Sequence, residues 1–225
     1  MGKMIVLFVV LLFAQNVFSG QEFHWARVKF DTKREIKDKW DINLDYDLDF
    51  LNAVNEMTTL KAEVKVNAVS FDNLTEATKY PMVFIHTEGE PKLSDKEVKN
   101  LREYMLRGGL LWVDDCVLDK TGDYFFKGMK EELETRIFPG KKLELLPITH
   151  EIYHTQYEFP EGLPYFQGVN HGGWGLSDDK GRLMVFLCAT DVHCGWSKKD
   201  KYFGEKKLLD AYKMGINIIM YALTH

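Results

Sequence analysis

The stretch SDKEVKNLREYMLRGGLLWVDD, Ser94 to Asp115, holds a helix, its stop signal and the strand that follows. Ser94 with Glu97 three residues later spells a capping box, in which each residue satisfies a backbone N–H of the first turn. Val98, Leu101 and Met105 then recur at helical spacing and give one apolar stripe. Gly108 stands where a left-handed C-terminal cap belongs. Leu110 to Val113 follow at once as a short apolar strand, which runs straight into Asp114-Asp115.

The same alternation of elements continues on both sides. Upstream, FHWARVKFD (Phe23 to Asp31) and VKVNAVSF read as strands, DKWDINLDYD as a polar loop, and the run from Asp49 with Leu51, Val54 and Met57 as a helix. YPMVFIHTEG is an apolar run that ends in polar residues, as a buried parallel strand does. Downstream, a helix is predicted over Asp123 to Ile137, stopped by Pro139-Gly140; KLELLPI and RLMVFLCAT read as strands, and Lys206 to Leu223 as a buried helix. Strands alternating with helices predict an α/β domain with an open, mostly parallel sheet. In such sheets ligands sit at the carboxyl ends of the strands. That rule selects Asp114, Asp115, Asp191 and His193, each just past a strand.

The first residues, MGKMIVLFVVLLFAQNVFSG, place Lys3 before an apolar run that ends at small residues near Ser19. They read as a secretory signal peptide over residues 1–19. The run is shorter than the roughly 20 residues of a membrane span, so no stable span is expected after cleavage. The remainder, 20–225, is the length of one domain, and the address implied is secreted or periplasmic. The net charge of -5 argues against nucleic acid as a partner. Three cysteines, Cys116, Cys188 and Cys194, are too few for a disulfide scaffold. A Cys116–Cys194 bridge stays open as an option, and Cys188 reads as a buried small hydrophobe.

The segment ITHEIYHT contains His150-Glu151-Ile152-Tyr153-His154, the H-E-x-x-H spelling of zinc proteases. Its chemistry needs both histidines on one helix face. Pro147 stands just before it, Pro160 and Pro164 follow, and no apolar stripe extends it, so the spelling reads as incidental. His150 keeps interest of its own, because it follows KLELLPI. It is expected to meet Asp115 and Asp191 in one pocket and there to be held protonated by their charge or shared with a cation.

Two adjacent buried carboxylates, Asp114 and Asp115, need compensation. They read either as caps for the following helix or as ligands for a cation or a substrate proton. Cys116 lacks the small neighbours of a nucleophile elbow. Asp191, His193 and Cys194 read either as metal ligands or as a turn. His171 and Trp174, in the glycine-rich NHGGWGL, read as the tip of a ligand-lining loop or as a core plug. No P-loop, G-x-G-x-x-G or G-x-S-x-G motif occurs.

Taken in order, FHWARVKFD, NEMTTLKAEV, the run from YPMVFIHTEGE through LLWVDDC, RIFPGKKLELLPITHEIYHTQY, GRLMVFLCATDVHCGW and GINIIMYAL resemble the domain of unknown function 4159 family of exported bacterial proteins. The resemblance implies a three-layer α/β/α sandwich with a flavodoxin-like sheet, similar to the class I glutamine amidotransferase-like superfamily. It implies no activity, and the amidotransferase nucleophile has no counterpart here. It maps the family's acidic pair onto Asp114 and Asp115 and a family histidine onto His150, and relatives with proline at the position of Glu151 again make H-E-x-x-H incidental.

The reading is therefore a ligand-binding or accessory module, taking an unknown small molecule or an envelope protein at a polar pocket on the strand ends. The alternative is a hydrolase using Asp114, Asp115 and His150, with a divalent metal as its cofactor. A third option is a structural interaction domain whose strand ends are plugged.

Overall fold

The structure, a computed structural model, describes residues 22–116, 122–199 and 203–225. The signal peptide read in residues 1–19 lies outside them. The elements run β1 (Phe23–Val28), β2 (Asp31–Thr32), α1 (Leu44–Met57), β3 (Ala62–Val69), α2 (Leu74–Ala77), β4 (Met82–Thr87), β5 (Pro91–Lys92), α3 (Asp95–Leu106) and β6 (Leu110–Asp115). They continue with α4 (Tyr124–Glu132), β7 (Glu144–Leu145), β8 (Trp174–Ser177), β9 (Leu183–Cys188) and α5 (Gly204–Thr224).

Seven strands form one sheet in the order β3-β1-β4-β6-β9-β8-β7. The first five are parallel; β8 is antiparallel to β9 and β7 to β8. Numbered along the chain, the five parallel strands lie 2-1-3-4-5, the flavodoxin-like order. Strand order reverses between β1 and β4, and the carboxyl ends of those two strands flank the crevice where such sheets take ligands.

The helices cover both faces. Tyr46, Phe50, Leu51 and Val54 of α1 share a core with Ala211, Met214, Ile218 and Ile219 of α5, against Trp25, Phe84, Trp112 and Phe186 of the sheet. Leu101, Tyr104 and Met105 of α3 and Phe125, Met129 and Leu133 of the α4 region pack on the other face, against Val28, Val83, Ile85, Val113 and Val185. Central strands β4, β6 and β9 are buried at every residue, which is why each reads as an unbroken apolar run.

The Ser94–Asp115 stretch folds as its residues predict. Ser94 and Glu97 close the capping box. Gly108 has φ of +110°, and the N–H groups of Gly109 and Gly108 return to the carbonyls of Tyr104 and Met105, a Schellman cap. Gly109 has a different reason to be glycine: a Cβ there would lie 2.3 Å from the Tyr104 ring.

The structure differs from the sequence reading in three places. Helix α1 begins at Leu44, inside the segment expected to be loop. KLELLPI supplies only Glu144–Leu145 as strand, because Pro147 has no N–H to continue the ladder. Trp174 opens strand β8, between β9 and β7, and does not stand on a loop tip. Of the two sheet edges, β3 carries Glu63 and Lys65 among half-exposed neighbours, and β7 is two exposed residues long.

Candidate functional site at the strand ends

Four strands repeat one pattern: an aromatic residue, then two positions later a residue able to hydrogen-bond. The pairs are Trp25 and Arg27 in β1, Phe84 and His86 in β4, Trp112 and Asp114 in β6, and Phe186 and Cys188 in β9. Alternation along a strand puts both members of each pair on the α1/α5 face, the second nearer the carboxyl end. The aromatic row is core; Trp25 and Trp112 meet edge to face with ring centroids 6.1 Å apart. Above it lies a second row of Arg27, His86, Asp114 and Cys188, each essentially without exposure.

Arg27 is neutralised from α1. Its guanidinium donates through Nε and Nη2 to the two oxygens of Asp47, at 2.8 and 2.5 Å, and through Nη1 to the carbonyls of Trp40 and Ile42. Trp25 Nε1 donates to the same carboxylate at 2.7 Å. Burial pushes the Asp47 carboxyl up, but Arg27 and His193 together outweigh it and hold the group at about 2. His193 Nε2 lies 3.1 Å from Asp47 Oδ2 and also touches Arg27 Nη2. Burial and the Arg27 charge push the His193 ring down to about 4, so it is neutral near pH 7.

The remaining members surround His193. Asp114 accepts the backbone N–H of His193 at 2.9 Å and the Cys188 thiol at 3.2 Å. Asp191, whose backbone is left-handed at φ +54°, accepts the Cys194 N–H at 3.2 Å, a side-chain N–H of Gln167, and the Cys116 thiol at 3.9 Å. His86 donates from Nδ1 to the Asp114 carbonyl at 2.9 Å and lies 4.3 Å from the His193 ring, centroid to centroid. Burial, then His193 and Arg27, hold it well below the usual histidine range.

Asp115 points to the other face and accepts the Phe126 N–H at 2.7 Å, capping the start of α4. Its second oxygen is buried with no hydrogen-bond partner among the described residues. Burial raises all three carboxyls, Asp114 to about 8 with the help of Asp191. The cysteines are free among the described residues. A hydrogen bond with Cys194, burial and the nearby Asp191 push the Cys116 thiol up, so it is no thiolate nucleophile.

Above this cluster opens a cleft of about 330 Å³ lined by Arg34, Ile36, Glu88, Gly89, Glu90, Cys116, Gly122 and Tyr124. Its walls follow the carboxyl ends of β1, β4 and β6, beside the point where strand order reverses. The small β2–β5 pairing ties two of these walls together. A second cleft, about 270 Å³, is lined by Phe23 and Pro81 at the amino ends of β1 and β4. In open parallel sheets the carboxyl-end position is the one used for ligands.

His150 is not part of the strand-end cluster. After Pro147 the chain crosses the α5 face to the amino edge of the sheet. There the His150 ring lies 5.9 Å from that of Tyr221, whose hydroxyl accepts the N–H of Leu183, the first residue of β9. Asp191 lies beyond the far end of β9, roughly 20 Å away at 3.3 Å per strand residue. The expected meeting of His150 with Asp115 and Asp191 is therefore corrected. Burial also lowers the His150 pKa, where neighbouring acids were expected to keep it charged. Glu151–Tyr153 is a single 3₁₀ turn, Glu151 faces His225, and His154 hydrogen-bonds Glu158 and the Ile148 carbonyl. The two histidines do not share a metal-binding helix face.

His171 and Trp174 form a separate group on the α4 face. His171 Nε2 meets Asp123 at 2.5 Å and its ring stacks on Phe126; Trp174 donates to the His171 carbonyl, and Lys130 lies over its ring. This group adjoins the site through Asp115 and the Phe126 N–H, and through Asp123, which lies between the cleft residues Gly122 and Tyr124.

Sequence reasoning passed over Arg27, Asp47, His86 and Gln167. His86 carried the same signal as Asp114 and Asp191, a polar residue closing an apolar run. Arg27 was visible as a charge in phase with Trp25 on a buried face. Asp47 and Gln167 had no local signal.

The family model for a domain of unknown function (DUF4159) matches residues 24–223, and the chain belongs to that family. No curated protein matches the sequence. Among the described residues, no helix is long and apolar enough to cross a membrane.

Proposed function

We propose that this chain is an exported ligand-binding or accessory module that takes a small polar molecule in the cleft over the carboxyl ends of β1, β4 and β6. The observation that carries the reading is the position of that cleft, at the reversal of strand order and directly over Cys116 and the buried polar cluster. Its lining mixes Arg34, Glu88 and Glu90 with Ile36 and Tyr124, which suits a ligand with both hydrogen-bonding and apolar parts. Export rests on the apolar leader read after Lys3.

The test is a ligand-observed NMR screen of a polar fragment library against the folded chain. Gly89→Leu serves as the blocked control, because a Cβ at Gly89 already lies 2.9 Å from Ile36. Fragments that bind the native chain and lose binding in Gly89→Leu support the cleft. Fragments that bind both equally, or none binding at all, overturn it.

The hydrolase alternative loses its proposed histidine, because His150 sits at the other end of the sheet. Asp115 is engaged in capping α4, and Asp114 in holding the His193 N–H and the Cys188 thiol.

A further inference from the structure

Beneath the cleft, His86, Asp191 and His193 each offer a ligand atom, and these three atoms lie within 4.8 Å of one another. They come from two strand ends that the fold brings together, since β4 and β9 both flank β6. All three side chains are buried. Two facts single them out from an ordinary buried cluster.

The first is that His86 Nε2 and His193 Nδ1 are both buried with no hydrogen-bond partner among the described residues. Leaving two ring nitrogens desolvated and unpaired is unfavourable, and a bound ion would remove that penalty. The second is that the opposite nitrogen of each ring is anchored. His86 Nδ1–H donates to the Asp114 carbonyl, and His193 Nε2 is held between the Asp47 carboxylate and Arg27 Nη2. The carbonyl fixes the His86 proton on Nδ1, so Nε2 turns a lone pair inward; His193 does the same with Nδ1 in the tautomer whose Nε2–H donates to Asp47. Histidine ligands in metal sites are held by carbonyl or carboxylate partners in this way. Asp191 is oriented as well, by Gln167 and the Cys194 N–H.

We propose that His86, Asp191 and His193 bind one divalent first-row transition-metal ion, such as zinc or cobalt. Two imidazoles and one carboxylate suit such an ion better than calcium or magnesium, which prefer oxygen. Ligand atoms within 4.8 Å must close somewhat around an ion with bonds of about 2.0–2.2 Å. Asp114 stands beside the set as a further acid, and its backbone carbonyl anchors His86. Three protein ligands leave a coordination position open. Cys116 lines the cleft and touches Asp191, so the cleft floor is one residue from the site. The proposal does not depend on the cleft binding an organic ligand.

The neighbouring set of Cys116, Asp191 and Cys194 also brings its ligand atoms within 4.8 Å, so the experiment must separate imidazole from thiolate ligation. Chelator-stripped full chain is titrated with Co(II) at pH 7.5, followed by visible absorption and by metal content after desalting. The expected result is one equivalent bound, d–d bands without an intense near-ultraviolet thiolate band, and a higher Tm. His86→Gln and His193→Gln should each weaken binding at least tenfold, and the double change Cys116→Ser with Cys194→Ser should keep it. A folded native chain that binds no Co(II) or zinc overturns the proposal. So does a dominant thiolate band, or binding unchanged in both histidine variants. If a histidine variant fails to fold, the native spectrum and the cysteine variant still decide between the two ligand sets.

Discussion

Arg27 of β1 and Asp47 of α1 meet in a wholly buried, two-pronged ion pair, with Nη2 to Oδ2 at 2.5 Å and Nε to Oδ1 at 2.8 Å. The pair fixes α1 over the strand ends and sets the Asp47 oxygen against which His193 is placed. Removing one partner strands a charge in the interior. Asp47→Ala is expected to cost about 3–5 kcal/mol in urea unfolding, while Arg27→Met combined with Asp47→Leu costs much less than the two single changes together. Additive single effects would show that the pair is not coupled.

The two glycines between α3 and β6 are expected to fail for different reasons. Gly108→Val meets no neighbour within 4 Å but must hold φ of +110°, at about 1–3 kcal/mol. Gly109→Ala instead drives a methyl into the Tyr104 ring. A double-mutant cycle should therefore show strong coupling of Tyr104→Leu with Gly109→Ala and none with Gly108→Val. A Tm unchanged in Gly108→Val would refute the cap.

Glu151→Gln and His154→Ala are expected to leave zinc content unchanged and to shift stability little, because both lie in surface pairs. Loss of bound zinc in either variant would reinstate a metal role for HEIYH.

Glu134 gives a pH signature. Burial raises its carboxyl, but Lys130, Lys142 and the Leu143 N–H outweigh that and bring it from 4.5 to about 2. A carboxyl lowered on folding stabilises fully above its unfolded pKa and loses that effect as pH falls through the folded value. Glu134→Gln should thus lower stability by about 1–2 kcal/mol at pH 7, with the difference shrinking between pH 4.5 and 2. Urea midpoints of the two proteins across that range check it; a constant gap would refute the linkage.

The fold was legible where local chemistry was strong. Ser94, Glu97 and Gly108 announced α3 by themselves, and the unbroken apolar runs of β4, β6 and β9 announced a sheet covered on both faces. The pairing of β8 was not legible, because Trp174-Gly175-Leu176-Ser177 is short and lies among glycines that equally suit a loop. At the site, residues just past strands could be found one by one: Asp114, Asp115, Asp191 and His193. Their partners could not. Asp47 comes from a helix whose first turn is mostly polar, and Gln167 from a loop, so only tertiary packing reveals them. His150 misled because a residue after an apparent strand was assumed to share its edge, whereas Pro147 releases the chain to cross the sheet.

The two borders of the sheet have a consequence for behaviour at high concentration. A bare strand edge is a template on which another chain can add backbone hydrogen bonds. Here one border, β3, offers charged Glu63 and Lys65, and the other, β7, offers only Glu144 and Leu145 before Pro147. An incoming strand would meet unfavourable charge on one side and almost no ladder on the other. The domain is thereby protected against edge-to-edge polymerisation, although its central strands are as apolar as those that build fibrils once exposed.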